Sequence, residues 1–108
     1  MKQGDVYWHT FRAPNKLRPV LILTRTSAVA YLTGITVAQI TTTIRGTASE
    51  VLLTPRDDGV LAECVVNTDN LHTIQKIQLG NFITELSPER MREVRAAIEF
   101  ALGFDALA

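Results

Sequence analysis

Two histidines, an arginine that precedes a proline, and a run of three threonines are the residues in this chain whose types could do chemistry. His9 and His72 form the obvious acid–base couple, because imidazole changes charge near neutral pH. Arg18 stands directly before Pro19, and a residue before proline is biased to extended backbone. That would mount its guanidinium stiffly where a loop becomes a strand. The fork offers paired donors matched to two phosphate oxygens and stays charged at any cellular pH. On these residues alone, a strand-end arginine in a surface ion pair is the plainer reading. Thr41, Thr42 and Thr43 close a β-branched run. Strand alternation sets 41 and 43 on one face and 42 on the other. The Thr41 hydroxyl could donate to the same phosphate, although threonines are also ordinary strand residues on a wet face. The Asp69-Asn70 pair reads first as a turn. His9, alternating with Trp8, is expected to face solvent.

Other chemistries are excluded by what is scarce. The single cysteine, Cys64, rules out an internal disulfide and leaves no Cys cluster for zinc. With two histidines and no carboxylates at ligand spacing, no metal site and no cofactor is expected. The longest aliphatic run, Val20-Leu21-Ile22-Leu23, is far too short to span a bilayer. No apolar leader follows the first residues, so the expected location is cytoplasmic. Net charge is zero, yet residues 1–45 hold six Lys/Arg against one acid and residues 46–108 hold five against ten. That asymmetry permits a local basic surface for phosphates, unless the halves intermix in space.

The elements that must position these residues are mostly strands. A chain of 108 residues makes one domain, 1–108. Residues 5–10 are strand formers, 11–17 a polar loop with a Pro14-Asn15 turn signal, and 18–24 a buried apolar strand. Residues 26–33 leave room for one helical turn. Residues 35–44 read as a longer strand, 49–54 and 62–67 as short ones separated by an Asp57-Asp58-Gly59 turn, and 71–75 and 81–86 as weaker ones. Short strands with brief loops suggest a small, partly open antiparallel barrel. Ser87 as N-cap, Pro88 at the first position and Glu89 open a terminal helix. Its apolar face is Met91, Val94, Ile98, Ala101 and Leu102, and Gly103 is its stop.

Five segments, in order over nearly the whole chain, resemble the MazF/PemK toxin family. They are Gly4-Asp5-Val6-Tyr7-Trp8, Arg18-Pro19-Val20-Leu21-Ile22-Leu23, the strand from Ile35 through Ile40-Thr41, Asp69-Asn70-Leu71-His72-Thr73-Ile74, and Ser87-Pro88-Glu89. The resemblance implies a mainly β fold with a C-terminal α-helix, an SH3-like antiparallel barrel shared with the CcdB toxins. It implies a homodimeric endoribonuclease that cuts single-stranded RNA at short motifs without a metal, through attack of the 2′-OH. It also implies an antitoxin whose acidic, disordered tail occupies the RNA groove.

The same resemblance assigns roles. Arg18 and Thr41 become catalytic, and Asp69 becomes the candidate proton acceptor. His72 stands where relatives carry the arginine of an Arg-Thr-Ile run, so it joins Asn70 among the RNA contacts. Arg12, Lys16, Arg45, Gln75 and Lys76 are further candidate contacts to phosphates or base edges. Phe11 is the aromatic placed to stack a base, while Tyr7 and Trp8 are expected to pack the barrel or a dimer interface. This chain departs from the pattern twice: residues 11–17 lack the acid or histidine of many relatives, and Asn67 replaces an arginine that some carry. The competing function is a CcdB-like toxin that inhibits gyrase by binding it. A barrel that merely binds RNA or an antitoxin is a third.

Overall fold

The computed structural model describes residues 1–12 and 16–107, so the Pro14-Asn15 signal lies outside the described residues. Six strands form one sheet: β1 (Asp5–Thr10), β2 (Leu17–Ile22), β3 (Gly34–Thr41), β4 (Glu50–Leu53), β5 (Cys64–Gln75) and β6 (Phe82–Glu85). Their spatial order is β4-β5-β3-β2-β1-β6, and all the pairings are antiparallel. One-turn helices α1 (Thr26–Val29) and α2 (Pro55–Asp58) follow β2 and β4, and α3 (Pro88–Ala101) closes the chain. The sheet curls into a half-barrel. Thr84, on edge strand β6, donates its hydroxyl to the Asp58 carbonyl at 2.9 Å, and α2 follows the opposite edge strand, so the two edges are drawn together.

The two faces of the sheet bury separate cores. Val6, Leu21, Ala38, Ile40, Val51, Leu53 and Val66 pack with Val94 and Ala97 of α3. Val20, Ile22, Ile35 and Val37 form a smaller cluster with Val29 of α1 on the other face. Period-2 alternation along β2 and β3 explains both, because neighbouring residues point to opposite faces. In α3, Ser87 accepts the Arg90 N–H at 3.1 Å and Gly103 takes φ +78°, as the sequence suggests. Leu102, expected on the apolar face, is exposed instead, because the helix ends at Ala101.

Three local expectations change. The strands at 62–67 and 71–75 are one 12-residue strand, β5. Asp69-Asn70 bulges without turning the chain: Gln39 faces Asn67 while its neighbour Ala38 faces Leu71, leaving residues 68–70 without partners on β3. Buried Thr68 pins that bulge by donating to the Ser49 carbonyl at 2.6 Å and the Ala97 carbonyl at 3.2 Å. Second, β3 stops at Thr41, because the Thr43 N–H turns back to the Thr41 hydroxyl at 3.1 Å. Third, Asp57-Asp58-Gly59 closes a helical turn that Thr54 caps.

Candidate active site

Strand register brings Arg18 and Thr41 together. β1 sets His9 opposite Arg18, and β2 sets Val20 opposite Gln39. Two residues further, the same register sets Arg18 opposite Thr41, and directly opposed residues share a face. The side chains meet: Arg18 Nη1 donates to Thr41 Oγ1 at 3.2 Å. That oxygen also accepts the Thr43 N–H. A hydroxyl has two lone pairs and one proton, so Thr41 is left able only to donate. A guanidinium has no acceptor and four more N–H groups. The pair therefore presents donors alone, which is the hydrogen-bonding demand of an anion.

Asp69 and its supports come from the bulge. The Ser49 hydroxyl donates to Asp69 Oδ2 at 2.6 Å, and the Asp69 N–H donates to Asn67 Oδ1 at 3.0 Å. Ser49 and Asn67 are buried while Asp69 and Asn70 are exposed, so an accessible carboxylate is held on a rigid base. The face is completed by an aromatic stack. His9 meets Phe11 edge-on at 4.8 Å between centroids, and Phe11 meets His72 at 4.9 Å. His9 is only 7% exposed, which corrects the expectation that it faces solvent. Its strand neighbour Trp8 points to the other face, leaving His9 beneath Phe11. His9 Nδ1 and His72 Nε2 are buried without a partner among the described residues. Phe11, sandwiched between them, is not the free stacking platform expected. Tyr7 packs edge-on against Phe82 at 5.6 Å.

The remaining candidates divide by place. Arg12 and Lys16 flank the β1–β2 connection, at the same end of the sheet as Arg18, and both are exposed. The Phe11 N–H bonds the Lys16 carbonyl at 2.9 Å across that connection. Arg45 is exposed beyond β3, where its N–H is held by the Glu50 carboxylate at 3.0 Å. Gln75 is not brought to the group, because it faces Gly34 at the far end of β3, about 23 Å from Thr41 at strand rise. Lys76 follows it, with its ammonium on the Val29 carbonyl at 2.6 Å. Sequence reasoning passed over three members of the site. Gln39 is two residues before Thr41 and so shares its face, a signal that alternation carries. Asn67 pairs with Gln39 but entered only as a missing arginine. Ser49 reaches Asp69 across 20 residues, and no local pattern announces such a contact.

Local electrostatics favour an anion here. The salt bridges among the described residues occupy Lys2, Arg90 and Arg95, leaving Arg12, Lys16, Arg18 and Arg45 without carboxylate partners there. A cavity of about 240 Å³ opens beside Arg18 and Thr41, walled by Trp8, Pro19, Leu61 and Cys64. A larger apolar cleft of about 590 Å³ beside α3 contains no candidate residue. Among the described residues, no three His, Cys, Asp or Glu side chains gather as a metal site would need.

A family model described as PemK-like, MazF-like toxin of type II toxin-antitoxin system matches residues 2–102. The chain belongs to this family. "Probable endoribonuclease MazF2" of Mycobacterium tuberculosis is 35% identical over 103 residues, covering 95% of this chain and 99% of that protein. Among solved structures, Mycobacterium tuberculosis toxin MazF-mt6 superposes with a TM-score of 0.83 at 37% identity, covering 92% of this chain and 96% of that one. A mycobacterial endoribonuclease in complex with its cognate antitoxin gives a TM-score of 0.82 at 26% identity, with 95% of each chain covered. In this MazF/PemK-type chain, the half-barrel with its C-terminal helix is the family fold. Among the described residues, no helix is long and apolar enough to cross a membrane.

Proposed function

We propose that this chain is the toxin of a type II toxin–antitoxin pair and an endoribonuclease that cuts single-stranded RNA without a metal or cofactor. The reading rests on one observation: the Arg18 guanidinium and Thr41 hydroxyl touch at 3.2 Å and together offer only donors. A scissile phosphate accepts from both, and the charge that builds on its oxygens in the transition state strengthens those bonds. The neighbouring 2′-OH attacks phosphorus, the P–O5′ bond breaks with the 5′-oxygen taking a proton from solvent, and a 2′,3′-cyclic phosphate and a 5′-hydroxyl remain. Asp69, oriented by Ser49, takes the 2′-OH proton. Arg12, Lys16 and Arg45 hold flanking phosphates, and Asn70 and His72 contact the strand beyond. The toxin works as a homodimer in the cytoplasm, where an antitoxin with an acidic, disordered tail covers the same cationic face. The family match and the relatives' names support this reading over a gyrase-binding one.

The test is cleavage of long RNA in excess chelator. Discrete fragments with cyclic-phosphate and 5′-hydroxyl ends are expected from the purified chain, and none from Arg18→Ala. Intact RNA with the unaltered, folded, antitoxin-free chain would refute the reading.

A further inference from the structure

We propose that Asn67 is a specificity-determining residue whose amide nitrogen reads a carbonyl oxygen on a base next to the cut, with Gln39 beside it. This rests on the RNA-cutting function proposed above. Register sets the distance: Asn67 is directly opposite Gln39, and Thr41 is opposite Val65. Asn67 is therefore the diagonal neighbour of Thr41 on one face, about 7–8 Å away between backbones, within reach of one nucleotide whose phosphate sits on Arg18 and Thr41.

Burial and bonding set the chemistry. Asn67 is 5% exposed, and its Oδ1 accepts the Asp69 N–H at 3.0 Å, a short-range bond that fixes the amide plane. Its Nδ2 donates to no group among the described residues. Nor is it a sealed polar atom; the buried unpartnered ones there belong to His9 and His72. The nitrogen accordingly meets the groove as a donor held in one orientation. Gln39, half-buried in the same row, adds a second uncharged amide with no hydrogen bond to the described residues. Neutral groups add little to phosphate affinity; they discriminate base edges. A fixed donor matches O4 of uracil or O6 of guanine and opposes the amino group that cytosine or adenine carries there.

The experiment maps fragment ends from a long RNA of mixed sequence. With the unaltered protein, uracil or guanine is expected at one position beside the cut, favoured about tenfold or more over cytosine and adenine. Asn67→Asp keeps an oxygen for the Asp69 N–H, and so keeps the bulge, but replaces the donor with an acceptor. The preference at that one position is expected to swing toward cytosine and adenine, with other positions unaltered. If Asn67 only shapes the bulge, Asn67→Asp leaves the base profile unchanged, and the proposal is overturned. Should Asn67→Asp not fold, Gln39→Glu serves: a shift confined to a position beside the cut supports the subsite, and an unaltered profile overturns it. Cutting without any keto preference removes the Asn67 role alone. A protein that cuts nothing removes the nuclease reading and this inference together.

Discussion

The Thr41 hydroxyl has no lone pair left to offer, since both are taken by Arg18 and the Thr43 N–H. Its remaining function in the site is donation, and that gives a sharp test. Thr41→Val deletes the donor while keeping the strand-forming shape, and is expected to lower single-turnover cleavage by about 10²–10³-fold, the usual loss for one transition-state donor. Thr41→Ser restores the hydroxyl and should stay within a few-fold of the unaltered rate. A wild-type rate in Thr41→Val, measured by fragment release, would remove the hydroxyl from the mechanism. The buried Cys64 thiol behaves differently. Burial, with help from the Asp58 and Glu63 charges, pushes its pKa up from 9.0 to about 11. Between those values the native thiol keeps a proton that the unfolded one has lost, so stability falls as pH rises through that window and is unaffected below it. Urea midpoints at pH 8 and pH 10 should therefore diverge, and Cys64→Ala should shrink the difference. At pH 8 a thiol reagent is expected to modify Cys64 only once urea is added.

Asp58 is the knot that joins three elements. Its carboxylate is nearly buried and takes the Arg90 Nε at 3.0 Å, the Arg90 Nη2 at 3.1 Å and the Thr54 N–H at 2.8 Å. The bond to Asp58 raises the Arg90 pKa above its ordinary value, as pairing with a carboxylate must. Gly59, next in the chain, has φ +73°, and a Cβ there would lie 2.7 Å from the Thr84 hydroxyl that bonds the Asp58 carbonyl. Removing one partner of a buried pair strands the other charge. Arg90→Met should thus cost about 3 kcal/mol in urea denaturation, whereas Arg95→Met, at an exposed helix pair, should change less than about 0.5 kcal/mol. Equal effects would mean that Asp58 is hydrated and the knot is slack. None of this was legible in the sequence, where Asp57-Asp58-Gly59 reads as a turn and nothing local links it to Arg90. Strands and the capped helix were legible because alternation and capping are local. The bulge at 68–70 was not: Asp69-Asn70 has turn chemistry, and bonds from Thr68 to Ser49 and Ala97 and from Ser49 to Asp69, distant in sequence, hold the chain extended through it. Among the site residues, Arg18 and Thr41 were visible as types, but their contact depends on register between strands 23 residues apart.

At the scale of the whole molecule, a neutral chain hides a cationic end. Among the described residues, the ion pairs of the second half join Arg90 to Asp58 and Glu93 and Arg95 to Glu99, and Lys2 of the first half reaches Glu85. None of those pairs engages Arg12, Lys16, Arg18 or Arg45, which remain to meet phosphates. Each phosphate neutralised on a single strand releases counterions and adds about −0.7 to the slope of log K against log salt. Four such contacts per site give a slope of roughly −3. A fully 2′-O-methylated RNA, which lacks the attacking hydroxyl, allows the slope to be measured by fluorescence anisotropy without cleavage. Arg12→Gln or Lys16→Gln should each flatten it by about 0.7 and weaken binding equally for all sequences, because phosphate contacts carry no base information. The Lys76 ammonium is engaged by the Val29 and Ala30 carbonyls at the far end of the sheet, so Lys76→Gln should leave the slope unaltered. A slope near zero in the unaltered chain would mean that the cationic end holds no RNA backbone, whatever the role of Arg18.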